Sequence, residues 1–480
     1  MAPARDVYVN PLSTRYASEP MLRLFSDDRK FGTWRRLWLA LARAQKELGL
    51  AITDAQLAEM EAHLDDVDYA TADRREREVR HDVMAHVHTF GLACPKAAPI
   101  IHLGATSMYV VDNTDTILLR EAYGLVRTRL VRVIAALAKL AKEHAQTPCL
   151  SYTHFQPAQP TTFGRRACLW IQDLMLDLEE VEWRRSSLRL LGTKGTTGTQ
   201  ASFLTLFKGD HGKVKELDRK VALAMGFEQT FPVTGQTVTR KVDAGAYSCL
   251  SGIAQSAHKM ANDVRLLMGL SCIEEPSTME QIGSSAMAYK KNPMRCERMT
   301  SLARLVVSLA PVGAQTMAEQ WLERTLDDSA GKRIALPEAF LSTEAILVIY
   351  EDVARGLVVF PAALRRELMR ELPAMATEEI LMLGVAAGGD RQELHEVIRR
   401  HARECSRRMK EEGAENDLLA RLAADPAFAA VKGGIGAALD PARFVGRSVE
   451  QVAEFLAGDV APLLERHKDA LAGAAAEVLV

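Results

Sequence analysis

Between Lys241 and Leu270 the chain contains no proline, and Val242, Ala246, Cys249, Ile253, Ala257, Met260, Val264 and Leu267 recur at steps of three and four residues. That spacing puts one apolar stripe along a single helix of roughly eight turns, about 45 Å long at ~1.5 Å per residue. A stripe of this length must be covered along its whole length, which requires partner helices equally long. The sequence supplies them. Leu125, Leu130, Ile134, Leu137 and Leu140 mark a second stripe, Cys168–Leu188 a third, and Met299–Leu326 a fourth, expected to bend near Pro311. Alternating strand patterns are scarce. The expected fold is therefore all-α, built on a central long-helix bundle.

The flanks differ in texture. A length of 480 residues gives a prior of about three domains. We expect an N-terminal helical domain over 1–106, the bundle over 107–360, and a C-terminal helical domain over 361–480, where short charged helices such as "RQELHEVIRRHARECSRRMKEEG" replace the long stripes. Hydrophobic residues make up 48% and charged residues 25%, a globular profile. The formal net charge of −2 gives no electrostatic reason to expect nucleic acid or an anionic membrane as partner. No apolar run reaches the ~18 residues of a membrane span, and "MAPARDVYVNPLSTRY" lacks a signal-peptide core. Seven dispersed cysteines without a Cys-x-x-Cys read as reduced thiols, which points to the cytoplasm.

Four polar segments interrupt the helical background. In "RHDVMAHVHTFG" the histidines do not share one helix face and no His-Glu-x-x-His is present, so no metal is expected. His86 and His88 suit buried or capping roles, while His81 beside Arg80 and Asp82 suits an anionic ligand. In "HLGATSMYVVDNTD", Thr106 and Ser107 follow Gly104 at the start of a helix, which serves an ordinary N-cap or offers N–H groups and hydroxyls to a carboxylate or phosphate. In "SYTHFQPAQPTTFG", prolines restrain the backbone around Thr153 and His154, and histidine is the natural proton donor or acceptor near neutral pH. The fourth, "QIGSSAMAYKKNPMRCE", crowds Ser284, Ser285, Lys290 and Asn292 onto a stretch that is neither strand-like nor helical. From these residue types alone the chemistry is anion handling combined with proton transfer.

"GSSAMAYKKNP" resembles the Gly-Ser-Ser-x-Met-Pro-x-Lys-x-Asn-Pro loop of the fumarase/aspartase superfamily. With "RHDVMAHVHTFG", "THFQPAQ", "KGTTGTQASFL", "TGQTVTRKVD" and "ERTLDDSAGKR", the chain resembles the adenylosuccinate lyases, animal-type branch, over nearly its whole length. Argininosuccinate lyases and fumarases share the loop but are not expected to keep "RHDVMAHVHTFG" or the Arg324–Arg333 pattern. A fold reused without catalysis would be free to lose Ser284 or His154, and both are present.

The resemblance implies β-elimination of fumarate from adenylosuccinate, giving AMP, and from SAICAR, giving AICAR, in purine biosynthesis. It implies Ser284 as general base, His154 as general acid, and Lys290 activating the base and holding carboxylate. His81 would bind phosphate or position His154. Substrate-binding roles fall to Arg15, Tyr16, Arg80, Asp82, Thr106, Ser107, Thr153, Gln236, Asn292, Arg324, Ser329 and Arg333. It implies a homotetramer cored by the middle domain, with active sites shared between subunits, small-molecule nucleotide substrates and no cofactor. One position departs from the family motif: Ala288 stands where the family has proline, which leaves the loop freer. An Ala288→Pro variant is expected to show slower proteolysis within the loop, with turnover altered; unchanged cleavage and unchanged turnover would refute this.

Overall fold

The computed structural model describes residues 6–277, 281–435 and 440–472. Five long helices form its centre: Ser107–Glu143, Phe163–Ser187, Lys241–Gly269, Met294–Ala318 and Asp328–Gly356. One continuous apolar core joins them, with Leu130 and Ile134 from the first, Trp170 and Leu174 from the second, Ile253 and Met260 from the third, Met299 and Val306 from the fourth, and Phe340 and Tyr350 from the fifth. The all-α expectation holds, and the described strands are confined to two two-stranded sheets.

The fifth helix left no stripe in the sequence. From Ser342 through Glu351 every residue is buried, including Glu344 and Glu351. A helix enclosed on all sides has no polar face, so its apolar residues show no 3.6-residue periodicity. Arg129 compensates the buried carboxylates, with Nε 2.8 Å from Glu344 and Nη1 3.7 Å from Glu351. Close packing also governs the hairpin that follows the first helix. A Cβ added at Gly164 would lie 2.3 Å from the Ala141 carbonyl oxygen, so only glycine allows the second long helix to start against the end of the first.

The fourth helix begins at Met294 and ends at Ala318, earlier at both ends than its apolar pattern suggests, and it runs through Pro311. Its start is set by Glu275. That carboxylate, 6% exposed, accepts the N–H groups of Arg295 at 3.0 Å and Cys296 at 2.6 Å. It therefore satisfies orphan donors at a helix N-terminus, where negative charge is favoured. The helix stops short of Leu326 because the chain turns at Leu322, whose φ is 48°, and Glu323 gives its carbonyl to the Gln236 N–H at 3.0 Å.

The N-terminal helices pack Trp34, Trp38 and Phe90 against Ile117 of the first long helix in a separate core, which also takes Leu190, Phe203, Phe207 and Phe227 from the segment after the second long helix. His86 stacks on Phe31 with centroids 3.8 Å apart. It fills the buried role expected of it; His88 is exposed within a helix and caps nothing. Leu394, Ile398, Leu418, Leu422 and Phe428 form a third core near the C-terminus. The chain then returns to the bundle, where Asp469 pairs with Arg127 at 2.7 Å and Val452, Val460 and Leu463 join the central core.

Truncating Glu275 to alanine should cost about 2–3 kcal/mol, the usual effect of leaving buried donors without a charged acceptor. Denaturant melts of wild type and Glu275→Ala measure this, and equal midpoints would show that Glu275 does not anchor the helix start.

Candidate active site

Three N-terminal helix ends meet at one cavity of about 600 Å³. Ser107 opens the first long helix, Asp328 and Ser329 open the fifth, and His81 caps the Asp82–Ala93 helix, its Nδ1 accepting from the Met84 N–H at 3.4 Å. Arg80, His81, Asp82, Ser107, Arg324, Ser329 and Arg333 all line this cavity. Thr106 occupies the N-cap position, yet its hydroxyl caps nothing. It instead accepts from Gln236 Nε2 at 3.4 Å, which brings Gln236 to the same rim. The N–H groups of that helix start are thus left without a side-chain cap, a favourable arrangement for an anion.

Beneath the cavity lies a charge network that sequence reasoning missed. Arg240, 2% exposed, contacts Asp112 at 3.1 Å, Asp328 at 2.7 Å and Asp243 at 3.6 Å. Lys332 pairs with Asp115 at 3.0 Å and Asp243 at 3.1 Å. Burial pushes the Asp243 carboxyl up, against the pull of Lys332 and Arg240. Asp328 gives its other oxygen to Arg324 at 2.7 Å, so one carboxylate holds both the buried arginine and the cavity arginine. Arg333 pairs with Asp82 at 2.7 Å. Burial raises the Asp82 carboxyl, but the Val83 N–H and Arg333 outweigh it and hold the group below its ordinary value. No periodicity announces such contacts, because the partners lie far apart in sequence; the residue types "TRKVD" and "LDDSAGKR" were the available signal.

Thr153 and His154 sit elsewhere, on a hairpin formed by Pro148–Thr153 and Gln156–Thr162. Thr153 pairs with Gln156, so His154 and Phe155 form the two-residue turn, with φ of 54° and 56°. Both turn residues are thus left-handed, the geometry a tight hairpin needs and one that glycine or asparagine usually supplies. His154 is exposed at the tip.

The serine loop is a third patch. Asn292 Nδ2 donates to the Gly283 carbonyl at 2.8 Å, Lys291 reaches Glu274 at 2.6 Å, and Arg295 Nη1 reaches Gln281 at 3.2 Å. These bonds draw the base of the loop together, and a Cβ at Gly283 would lie 2.5 Å from the Lys290 carbonyl oxygen. At the tip, Ser284 Oγ accepts the N–H groups of Ala286 at 3.4 Å and Met287 at 3.2 Å. Lys290 is exposed. Cys296 beside the loop is buried, and burial with Glu275 pushes its thiol far up, which removes it as a nucleophile. Neither Ser284, Lys290 and Asn292 nor Thr153 and His154 line the cavity, and Arg15 and Tyr16 lie outside it as well. Arg15 is exposed, 6.0 Å from the Tyr16 ring.

Known proteins match this chain both in sequence and in fold. A family described as "Lyase" matches residues 20–308, and "Adenylosuccinate lyase C-terminus" matches 373–455. A fumarate lyase from Mesorhizobium sp. BNC1 shares the fold with a TM-score of 0.79 at 24% identity, covering 94% of this chain and 100% of that one. A 3-carboxy-cis,cis-muconate lactonizing enzyme from Pseudomonas putida does so at 0.81 and 23%, covering 96% and 100%. Fold and family match define a lyase of the fumarase/aspartase superfamily. Curated adenylosuccinate lyases are much more alike in sequence. The protein of Saccharomyces cerevisiae is 52% identical over 95% of this chain and 96% of its own length, and that of Schistosoma mansoni 49% over 97% and 98%. The chain belongs to the adenylosuccinate lyase family.

Burial holds His86 and His102 at pKa values of about 4, and His102 Nδ1 accepts from Trp38 Nε1 at 2.9 Å. Their unfolded value lies near 6.5. The unfolded chain therefore binds more protons between pH 6.5 and about 4, so stability is full above pH 6.5 and is lost as the pH falls through that window. Thermal melts should show this decline, shallower in a His86→Phe variant that keeps the stack on Phe31. An equal slope in both proteins would refute the assignment to His86.

Proposed function

We propose that this enzyme eliminates fumarate from adenylosuccinate, leaving AMP, and from SAICAR, leaving AICAR. The observation that carries the reading is the stapled loop with Ser284 receiving two backbone N–H groups. The proton to be removed lies next to a carboxylate and is only weakly acidic. A neutral serine is too weak a base to take it, so Ser284 acts as the alkoxide. The Ala286 and Met287 N–H groups stabilise charge on Oγ, and Lys290 adds positive charge as the loop closes. Abstraction loads negative charge onto the substrate carboxylate. Lys290, the Thr106/Ser107 helix start and Gln236 meet that charge, and losing one such donor costs about 3 kcal/mol. His154 protonates the departing nitrogen, with Thr153 beside it. Asn292 closes the loop through Gly283 and adds a contact to the carboxylates.

His81, Arg80, Asp82, Arg324, Ser329 and Arg333 bind the nucleotide, with Arg15 and Tyr16 completing the site. The separation of cavity, hairpin tip and loop within one chain supports a homotetramer in which these three patches come from different subunits, built on the middle one of three domains. The cytoplasm is the compartment that fits this assembly of reduced thiols. No cofactor enters any step.

Ultraviolet absorbance of the purified protein with adenylosuccinate, and with argininosuccinate as control, tests the reading. Conversion of adenylosuccinate alone is expected, with kcat down at least ~1,000-fold in Ser284→Ala while substrate still binds. Conversion surviving in that variant would remove Ser284 as base, and conversion of neither compound by wild type would remove the activity.

A further inference from the structure

One wall of the cavity is a face of the Asp27–Glu47 helix, which no sequence motif marks as part of a site. Asp27, Lys30 and Trp34, spaced at three and four residues, all line the space. Four of the other cavity cations are engaged: Arg240 with three carboxylates, Lys332 with two, Arg324 with Asp328 and Arg333 with Asp82. Lys30, like Arg80, is not. Among the described residues it forms no hydrogen bond and no ion pair, and its ammonium lies 4.9 Å from the Phe31 ring and 5.3 Å from Trp34. Those rings hold the cation at the cavity wall without neutralising it. Trp34, 1% exposed, has an Nε1–H without a hydrogen-bond partner. A buried donor left unmade is costly, and the cation beside it makes no direct contact with a carboxylate among the described residues. Together they describe the wall of an oxyanion site.

We infer that Lys30, assisted by the Trp34 N–H, binds the phosphate of the nucleotide substrate. This rests on the activity proposed above. The groups assigned to proton transfer, Ser284 and His154, lie outside the cavity. Of the groups that line it, the Ser107 helix start is assigned to the carboxylate, whereas Arg80, His81, Asp82, Arg324, Ser329 and Arg333 are all assigned to the nucleotide, and the group of a nucleotide that such cations meet is its phosphate. A compact ammonium on a flexible stem, with Arg80 also lining the cavity, suits a dianion that presents three oxygens.

The test uses full-length Lys30→Met and Lys30→Arg. Lys30→Met should raise KM for adenylosuccinate and the inhibition constant of AMP by about tenfold or more, the effect of one charge-assisted hydrogen bond, with kcat changed far less. Inhibition by fumarate should not change, and Lys30→Arg should recover most of the AMP affinity. Independently of turnover, inorganic phosphate should raise the melting temperature of wild type and Lys30→Arg but not of Lys30→Met. That readout supports the Lys30 site even where adenylosuccinate is not cleaved, so the two readings fail separately. Equal phosphate stabilisation of wild type and Lys30→Met would overturn the inference, and weakened fumarate inhibition with AMP inhibition intact would overturn the phosphate assignment.

Discussion

Arg240 is the point on which the architecture turns. A guanidinium almost wholly removed from water must be met by carboxylates, and it draws them from three helices: Asp112 from the first long helix, Asp243 from its own, and Asp328 from the first turn of the fifth. Burying such charges carries a desolvation penalty of several kcal/mol per ion, so the network persists only with its geometry complete. Completing it brings the N-terminal ends of those helices to one place. Aspartates near helix N-termini also favour this arrangement, since the helix dipole is positive there. The cavity follows from the convergence. Ser107, Gln236, Arg324 and Ser329 come from three sequence regions and meet because the helices that carry or adjoin them must share Arg240.

How far the sequence could be read depended on what each helix had to hide. Helices with one wet face announced themselves: Lys241–Gly269 appeared within a residue of its true end. The Asp328–Gly356 helix, enclosed on every side from Ser342 through Glu351, did not, since periodicity records the contrast between two faces and this stretch has no contrast. The hairpin at Pro148–Thr162 read only as a proline-restrained segment, because three prolines and two non-glycine turn residues mask both strand and turn signals. The reactive loop was legible as a cluster of chemistry. Its anchor, Glu275, was not, since a single acidic residue carries no signal until the helix it caps is seen. Lys30 and Trp34 were illegible for a related reason: they sit at ordinary helical spacing, and only their unpartnered nitrogens at the cavity wall set them apart.

The cavity, the hairpin tip and the loop also differ mechanically. The cavity is built from helix ends locked by buried charge, and its side chains have little freedom. The loop is fixed at both ends by Glu275, Lys291 and Arg295, but its Ser285–Tyr289 crest is exposed. A cavity held by buried charge and a loop with an exposed crest thus coexist within one chain. The strained or exposed elements are those assigned to bond-making, and the rigid ones are those assigned to recognition.

The two-residue turn at the hairpin tip has a further consequence. Side chains in a strand alternate between faces, so the direction of the tip is indexed by the count of residues on either side of it. The bulge between Leu150 and Tyr152 has already shifted that count once. With only His154 and Phe155 in the turn, no slack remains to absorb another insertion or deletion. Lengthening either strand by one residue would swing the imidazole to the opposite face, whereas the loop around Ser284 can drift in length at its crest without such inversion. The hairpin therefore behaves as a gear with fixed teeth: His154 is reached by register, and a change of one position is a change of side.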